Sequence, residues 1–215
     1  MLTIWGRRSS FNVQKVMWLV GELGLKHQHI PPGGSYGIKD TSEFRAMNPH
    51  GKVPVINDDG LVIWESHSIL RYLAARYGPA DFWSDNPCIR SKTDSWMDWA
   101  QASLQPAFLT GVFWGFYRTP PEQRNAVSVR QSINLCTQYF LLLDQALSKR
   151  QFLAQDKLTL ADIPVGTHLY RYFELDIERP SLPNVENWYS RLKERPAYRE
   201  HVMIPFDELR GRLDY

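Results

Sequence analysis

The sequence has little cysteine, little excess charge and no long apolar run. Only Cys88 and Cys136 occur among its 215 residues. They stand far apart in polar or helical contexts, so two free thiols are expected rather than a disulfide. No Cys-x-x-Cys pair or Cys/His cluster has metal-ligand spacing and the six histidines are scattered, so no metal site is expected. A net charge of +2 is too small for a nucleic-acid or anionic-membrane footprint. No stretch of about 18 apolar residues exists to span a bilayer. The opening MLTIWGRRSS reads as a strand and lacks a charged n-region followed by an apolar h-region, which points to a cytoplasmic protein. With 43% apolar and 22% charged residues, the chain has the composition of a globular protein with room for one large domain or two small ones.

What is present centres on the stretch from Asn48 to Leu73. Val53-Pro54-Val55-Ile56 and Leu61-Val62-Ile63-Trp64 are two β-rich runs, and Asp58-Asp59-Gly60 between them is a hairpin signal. The period then changes to that of a helix, with Ile69, Leu70, Leu73 and Tyr77 on one face. Ser66 is the expected N-cap, leaving first-turn N–H groups open to an anion. Pro54 removes a ladder donor and belongs at a strand start, an edge or a bulge. Cis bonds are about 5–6% of X–Pro bonds, so base rates favour a trans bond here, while a cis bond would turn the Val53 backbone toward a ligand.

In chain order, Leu2 to Trp5 reads as a strand. A helix from Phe11 follows, carrying Val13, Val16, Met17, Val20 and Leu23 on one face and Gly24 as its C-cap. Ser9 or Ser10 stands at its N-terminal end, either as a plain cap or as a donor to an anion at the positive pole of the helix. His27 to Ile30 is a second strand, residues 31–37 an irregular Pro/Gly loop, and Lys39 to Met47 includes a short helix. Strand, helix, strand, then strand, strand, helix make a βαβ unit followed by a ββα unit. Residues 1–78 are thus one α/β domain and 79–87 a linker. Residues 88–215 form an all-helical domain with no internal repeat. Its expected helices are Cys88 to Phe116, bent near Pro106, then Glu122 to Ala146, one opening at Thr159, and Val185 to Glu194 before a charged tail on the surface. Thr159 with Asp162 has capping-box spacing, Leu158 and Ile163 the spacing of a staple, and Pro164 beyond the first turn costs one backbone bond.

These motifs together resemble the cytosolic glutathione transferases over nearly the whole chain. They are Asn48-Pro49-x-Gly51-Lys52-Val53-Pro54, then Trp64-Glu65-Ser66-x-x-Ile69-x-x-Tyr72-Leu73, then Thr159-Leu160-Ala161-Asp162-Ile163-Pro164. Each is weak alone, and their order and separations make the signal strong. The resemblance implies a thioredoxin-like first domain with Pro54 cis, an all-α second domain, and glutathione as co-substrate with no metal. It implies that the Val53 backbone meets the cysteinyl part of glutathione, Glu65 its ammonium and Ser66 its γ-glutamyl carboxylate. Lys52, with Lys39 and His50 behind it, is offered to the glycine carboxylate.

For activation of the thiol, Trp5 stands near the place of the tyrosine classes, and no cysteine lies in the first helix turn. Ser10-Phe11-Asn12-Val13-Gln14-Lys15-Val16 is similar to the pattern of bacterial serine-type members of the theta, delta and nu kind. This favours Ser10 over Ser9, with Asn12 as the alternative donor to sulfur. A helix N-terminus lowers a thiol's pKa from ~8.5 to roughly 3.5–7.5, so a thiolate would form there and attack an electrophilic carbon or a disulfide. Phe113, Trp114, Tyr117 and Arg118 are the expected lining for a small electrophilic or disulfide substrate; aromatics at helical spacing are also what a core contains. The resemblance further implies a homodimer. The readings that follow are a transferase acting on small electrophiles, a glutathione-dependent disulfide or peroxide reductase, and a non-catalytic glutathione-binding adaptor, since one fold serves many ends.

Overall fold

The computed structural model describes residues 1–31, 41–80 and 82–213, so Lys39 lies outside the described residues. These residues form two compact units, Met1–Trp83 with Pro196–Ile204, and Ser84–Arg195 with the residues from Pro205 on.

The first unit carries β1 (Leu2–Trp5), α1 (Phe11–Glu22), β2 (His27–Ile30), α2 (Ser42–Met47), β3 (Val55–Asp58), β4 (Leu61–Trp64) and α3 (Ser66–Tyr77). The sheet order is β2-β1-β3-β4. β2 runs parallel to β1, whereas β3 and β4 run antiparallel to their neighbours. Trp5 pairs with Ile30 and Val55, and Val55 with Trp64, so the four strands end level. Asp59 and Gly60 form the two-residue hairpin turn, and both have positive φ (49° and 99°). This is the type I′ geometry that Asp-Gly favours. β3 begins at Val55 rather than Val53, because Pro54 has no N–H to give the ladder.

α1 ends in a Schellman motif: Leu25 N–H bonds to Val20 O (3.0 Å) and Gly24 N–H to Gly21 O (3.2 Å), with Gly24 at φ +61°. Ile4, Val13, Val16, Val20, Ile56, Ile69, Leu70 and Leu73 are buried in the unit's core. Glu65, not Ser66, stands at the N-cap position of α3, with φ +71°, and Ser66 is the first helical residue. The surface tail expected after Arg195 instead begins with a further helix, α8 (Pro196–His201). Tyr198 meets the Trp18 ring edge-on at 4.7 Å, and a Cβ on Gly21 would fall 2.8 Å from Ala197 Cβ. α8 therefore packs on α1 and completes the first unit.

The second unit holds α4 (Pro87–Trp99), α5 (Ala126–Leu147), α6 (Asp162–Glu174) and α7 (Pro183–Lys193). Beyond α4 the helix widens into π-helical segments, Ala100–Leu104 and Pro106–Arg118. Gln105 N–H reaches back to Ala100 O, and Thr119 N–H to Trp114 O (2.9 Å). The bend expected at Pro106 is thus a wider turn that starts earlier, at Ala100. Gly111 lets this helix approach α5 closely, since a Cβ there would meet Ser132 Oγ at 2.3 Å and Ser132 Cβ at 2.6 Å. α5 starts at Ala126 instead of Glu122, because Pro121–Gln123 is a 3₁₀ turn and the Asn125 side chain caps Ser128 N–H (3.0 Å).

α6 likewise starts later than expected, at Asp162. Half of the capping box is present. The Asp162 carboxylate accepts from Thr159 N–H (2.9 Å) and from Leu153 N–H (3.0 Å), while Thr159 Oγ1 accepts from Ala161 N–H (3.2 Å). Because the helix begins at Asp162, Pro164 sits in its first turn, where a missing N–H costs no helical bond.

The β3–β4 hairpin is tied to α3 by one carboxylate. Asp58, 3% exposed at its side chain, accepts from Tyr72 Oη (2.7 Å) and Tyr77 Oη (2.6 Å) and lies 3.4 Å from Arg76 Nε. Burial pushes the Asp58 carboxyl up, but Tyr77, Tyr72 and Arg76 outweigh it and hold the group below its ordinary 3.8. A depressed folded pKa gives stability that is present above about 3.8 and lost as pH falls through the folded value. Asp58→Ala should therefore cost about 2–3 kcal/mol at pH 7 in urea unfolding, and its deficit should shrink below pH 3.8; a deficit that does not change with pH refutes the assignment. Gly111→Ala should cost about 1–3 kcal/mol by forcing the helices apart, measured the same way. Substituting Ser132 with Ala should not relieve it, since the Cβ clash remains.

Candidate functional site

The level row Ile30, Trp5, Val55, Trp64 is where the chemistry of the first unit gathers. From it leave the β1–α1 loop with Ser10 and Asn12, the approach to β3 with Val53 and Pro54, and the step from β4 to α3 with Glu65 and Ser66. Gly6 packs these segments together. At φ +150° it lies so near its neighbours that a Cβ would meet Val13 Cγ2 at 2.3 Å and Val53 Cβ at 3.2 Å. Val53 is therefore held beside the first turn of α1.

The turn before Val53 is built by Asn48, a residue given no role by the sequence reading. It is 3% exposed; its Nδ2 donates to Lys52 O (2.7 Å) and its Oδ1 accepts from His50 N–H (3.0 Å). The His50 ring lies 5.4 Å from that of Trp64, which joins this turn to the end of β4. The Val53–Pro54 peptide is cis. Val53 stands outside the ladder, and its backbone makes no hydrogen bond to another described residue. Lys52 is exposed and has no ion pair among the described residues.

Glu65 takes a backbone conformation that non-glycine residues rarely adopt, which costs about 1–3 kcal/mol. It leaves the carboxylate exposed and opens α3 at Ser66, itself 2% exposed. On α1, among the described residues, the Ser10 hydroxyl makes no capping bond and the Asn12 Oδ1 is buried without a hydrogen-bond partner. Gln14, one turn beyond Ser10 and 1% exposed, has neither amide atom hydrogen-bonded to a described residue. Beneath these residues Lys15 Nζ lies 3.2 Å from His67 Nε2, linking α1 to the start of α3. The structure gathers the predicted Ser10, Asn12, Val53, Pro54, Glu65 and Ser66 at this end of the sheet, together with Asn48, Gln14 and the Lys15–His67 pair, which the sequence did not single out. Lys15 was there only as the basic position of a motif, with no sign that it is buried.

The residues expected to line a second-substrate pocket lie in the second unit. Phe113 and Tyr117 stack at 5.3 Å, and Phe206 meets both edge-on. Arg171 lies 4.5 Å over Phe113 and Arg210 4.7 Å over Tyr117. Arg118, expected in the same lining, is 1% exposed, stacks 3.8 Å over Trp114 and donates from Nε to Arg212 O (2.8 Å). Phe206, Arg171 and Arg210 carried no helical-periodicity signal linking them to this cluster. A cleft of about 660 Å³ in the same unit is lined by Phe116, Arg124, Val129, Arg130, Ile133 and Glu178 among others, and by none of the four expected residues.

Neither cysteine lies in this site's segments. Cys88 is exposed and Cys136 buried, both free, and burial pushes the Cys136 thiol up to about 12. Among the described residues no group of three or more His, Cys, Asp or Glu side chains is placed to hold a metal ion, and no helix is long and apolar enough to cross a membrane.

Comparison with known proteins places this arrangement. The family model described as glutathione S-transferase, N-terminal domain, matches residues 5–81, and that of the C-terminal domain matches residues 106–196. The glutathione S-transferase GstB of Escherichia coli K12 is 41% identical over 207 residues, 95% of this chain and 99% of that protein. A crystal structure of the theta class glutathione S-transferase of Xanthomonas axonopodis pv. citri, with glutathione bound, superposes with a TM-score of 0.89. It is 41% identical and covers 95% of this chain and 98% of that one. The disulfide-bond oxidoreductase YghU of Escherichia coli K12 is 29% identical over 184 residues, 78% of this chain and 60% of that protein. The matches run the length of both units, and the chain belongs to the glutathione S-transferase family.

Proposed function

We propose that the end of the sheet in the first unit binds glutathione and activates its thiol. The observation that carries this reading is Val53: a backbone N–H and C=O left out of the ladder, beside a helix N-terminus and an exposed carboxylate. An extended peptide would pair with Val53 through its cysteinyl unit, which the Pro54 and Asn48 turns present. Its γ-glutamyl carboxylate would sit on Ser66 and the first-turn N–H groups of α3, and its ammonium on Glu65. Lys52 suits the glycine carboxylate, with His50 and Lys39 as further donors.

The cysteinyl sulfur then falls to the first turn of α1. Ser10 Oγ–H or Asn12 Nδ2–H donates to it and stabilises the thiolate with the help of the helix dipole; neither acts as a base. The thiolate attacks an electrophilic carbon and expels its leaving group, which makes this a transferase. The likeness to the disulfide-bond oxidoreductase supports a second reaction at the same thiolate: attack on a disulfide, giving a glutathione mixed disulfide and releasing the other sulfur as thiolate. The intact set of Lys52, Val53, Pro54, Glu65 and Ser66 speaks against an adaptor with a decayed site. The aromatic cluster of Phe113, Trp114 and Tyr117 is proposed for the second substrate, Arg118 acting by holding the C-terminal segment. A homodimer working in the cytoplasm completes the proposal.

Ser10→Ala should raise the pKa of the bound thiol by about one to two units and lower turnover about ten- to a hundredfold, far more than Ser9→Ala. Titrating thiolate ultraviolet absorbance in both variants and in Asn12→Ala identifies the donor. Equal, small effects of Ser10→Ala and Ser9→Ala remove Ser10 from the role. Retention on glutathione-agarose with turnover of a model aryl halide or a mixed disulfide is expected of the unaltered protein; absence of all three favours the adaptor.

A further inference from the structure

A cavity of about 320 Å³ in the first unit collects basic side chains that the proposed chemistry leaves unused. Arg8 comes to it from the β1–α1 loop, His27 and His29 from β2, and His201 from α8. Glu200 is the one acid in its described lining. β2 is an edge strand, and the two-residue period puts His27 and His29 on one face. α1 meets the cavity with uncharged residues, among them Met17, Val20 and Gly21. The His201 ring lies over Gly21, where a Cβ would stand 3.1 Å from its Cδ2 and 3.2 Å from its Nε2. None of these residues belongs to the set proposed for glutathione.

Hydrogen bonds fix what each group offers. Arg8 donates from Nη2 to Glu200 O (3.0 Å), and the rest of its five-donor fork has no further hydrogen-bond or ion-pair partner among the described residues. His27 donates from Nδ1 to Leu25 O (3.0 Å) and His29 from Nε2 to Gly6 O (2.7 Å). Each ring keeps one nitrogen in reserve, Nε2 of His27 and Nδ1 of His29, which becomes a second donor on protonation. His201 Nε2 is 3.9 Å from Glu200 Oε1, beyond hydrogen-bond length, and the Glu200 side chain is 67% exposed. Among the described residues these histidines and Glu200 form no group that could hold a metal ion.

We propose that this cavity binds a tetrahedral dianion of the sulfate or phosphate type, gripped by Arg8 and by imidazoles that take up protons as it enters. A concave wall lined mainly by one sign of charge focuses the field on an ion inside it, and a guanidinium fork matches an oxyanion's geometry. His201 registers that field. Burial holds its imidazole below the ordinary 6.5, Glu200 works against this, and Arg8, His27 and His29 push it further down. A dianion among those three cancels their repulsion and lets His201 take a proton. Binding therefore consumes protons and tightens as pH falls. The occupant joins the β1–α1 loop, β2 and α8, the segments that Arg8 and Glu200 already tie by one bond.

The test is proton NMR of the histidine Cε1–H signals in the full chain, titrated with sodium sulfate against sodium chloride of equal ionic strength. Sulfate stays a dianion between about pH 6 and pH 8, so any pH dependence belongs to the protein. Single His→Gln variants at 27, 29 and 201 assign the signals. Sulfate should move His27, His29 and His201 toward the protonated position and leave His168, in the second unit, in place. The affinity read from these shifts should be about tenfold higher at pH 6 than at pH 8, and about tenfold lower in Arg8→Gln. Phenyl phosphate binding more tightly than inorganic phosphate at pH 8 assigns the site to the anionic group of an organic ester; the reverse assigns it to a free inorganic ion, and either supports the site. Shifts no larger than with chloride, equal shifts at His168, or an affinity indifferent to pH or to Arg8→Gln overturn the inference. Arg8 is exposed, and thermal unfolding in chloride checks that its variant is folded; if it is not, the pH dependence of the unaltered chain decides.

Discussion

Trp5 pairs with Ile30 on one side and Val55 on the other, and Val55 pairs with Trp64. Because β1, β2 and β4 run one way and β3 the other, this row is the exit of β1, β2 and β4 and the entrance of β3. Register in a sheet with a buried face is strongly specified, since a slip of one residue exchanges its faces. The pairing therefore sets the relative heights of Ser10, Val53 and Glu65. Gly6 and Asn48 act at the next level, one by letting three segments touch, the other by satisfying the backbone of an irregular turn.

The first unit was largely legible because its signals are local. Asp59-Gly60, the alternation in β4 and the 3.6-residue period of α1 and α3 each depend on residues close in sequence. The residues gathered at this end of the sheet were legible through motifs that resemble a family. What escaped was non-local. Nothing near Lys15 says that its chain will run inward to His67, 52 positions away. The N-cap of α3 was expected one position late, at Ser66, a good N-cap residue, whereas Glu65 holds that position. Propensity had no way to foresee a carboxylate held at φ +71°. The starts of α5 and α6 slipped for the same kind of reason, as a 3₁₀ turn and a buried carboxylate took over hydrogen bonds that the helical pattern had claimed.

The second unit shows how burial redirects polar residues. Arg118 looked like a substrate contact by its place among aromatics, yet it spends its guanidinium on Trp114 and the Arg212 carbonyl. Asp162 looked like an ordinary box residue, yet it is fully buried and ties Leu153 as well as Thr159. In both, one charged group fastens backbone outside its own helix, Arg212 for Arg118 and Leu153 for Asp162, where backbone groups would otherwise lack partners. The wide turns from Ala100 to Arg118 bring Gly111 against Ser132, a contact that an insertion of bulk anywhere on that face would disturb.

α8 carries a consequence for how this chain comes into being. Domains generally fold as units during synthesis, the N-terminal one first. Here the aromatic face of Trp18 and the small surface at Gly21 wait for Tyr198 and Ala197, which are made only after nearly the whole second unit. The unit built on residues 1–83 is thus closed by a helix that is made only after residues 84–195. Until then the outer side of α1 stays bare, and a nascent chain arrested before Pro196 would present it to whatever is near.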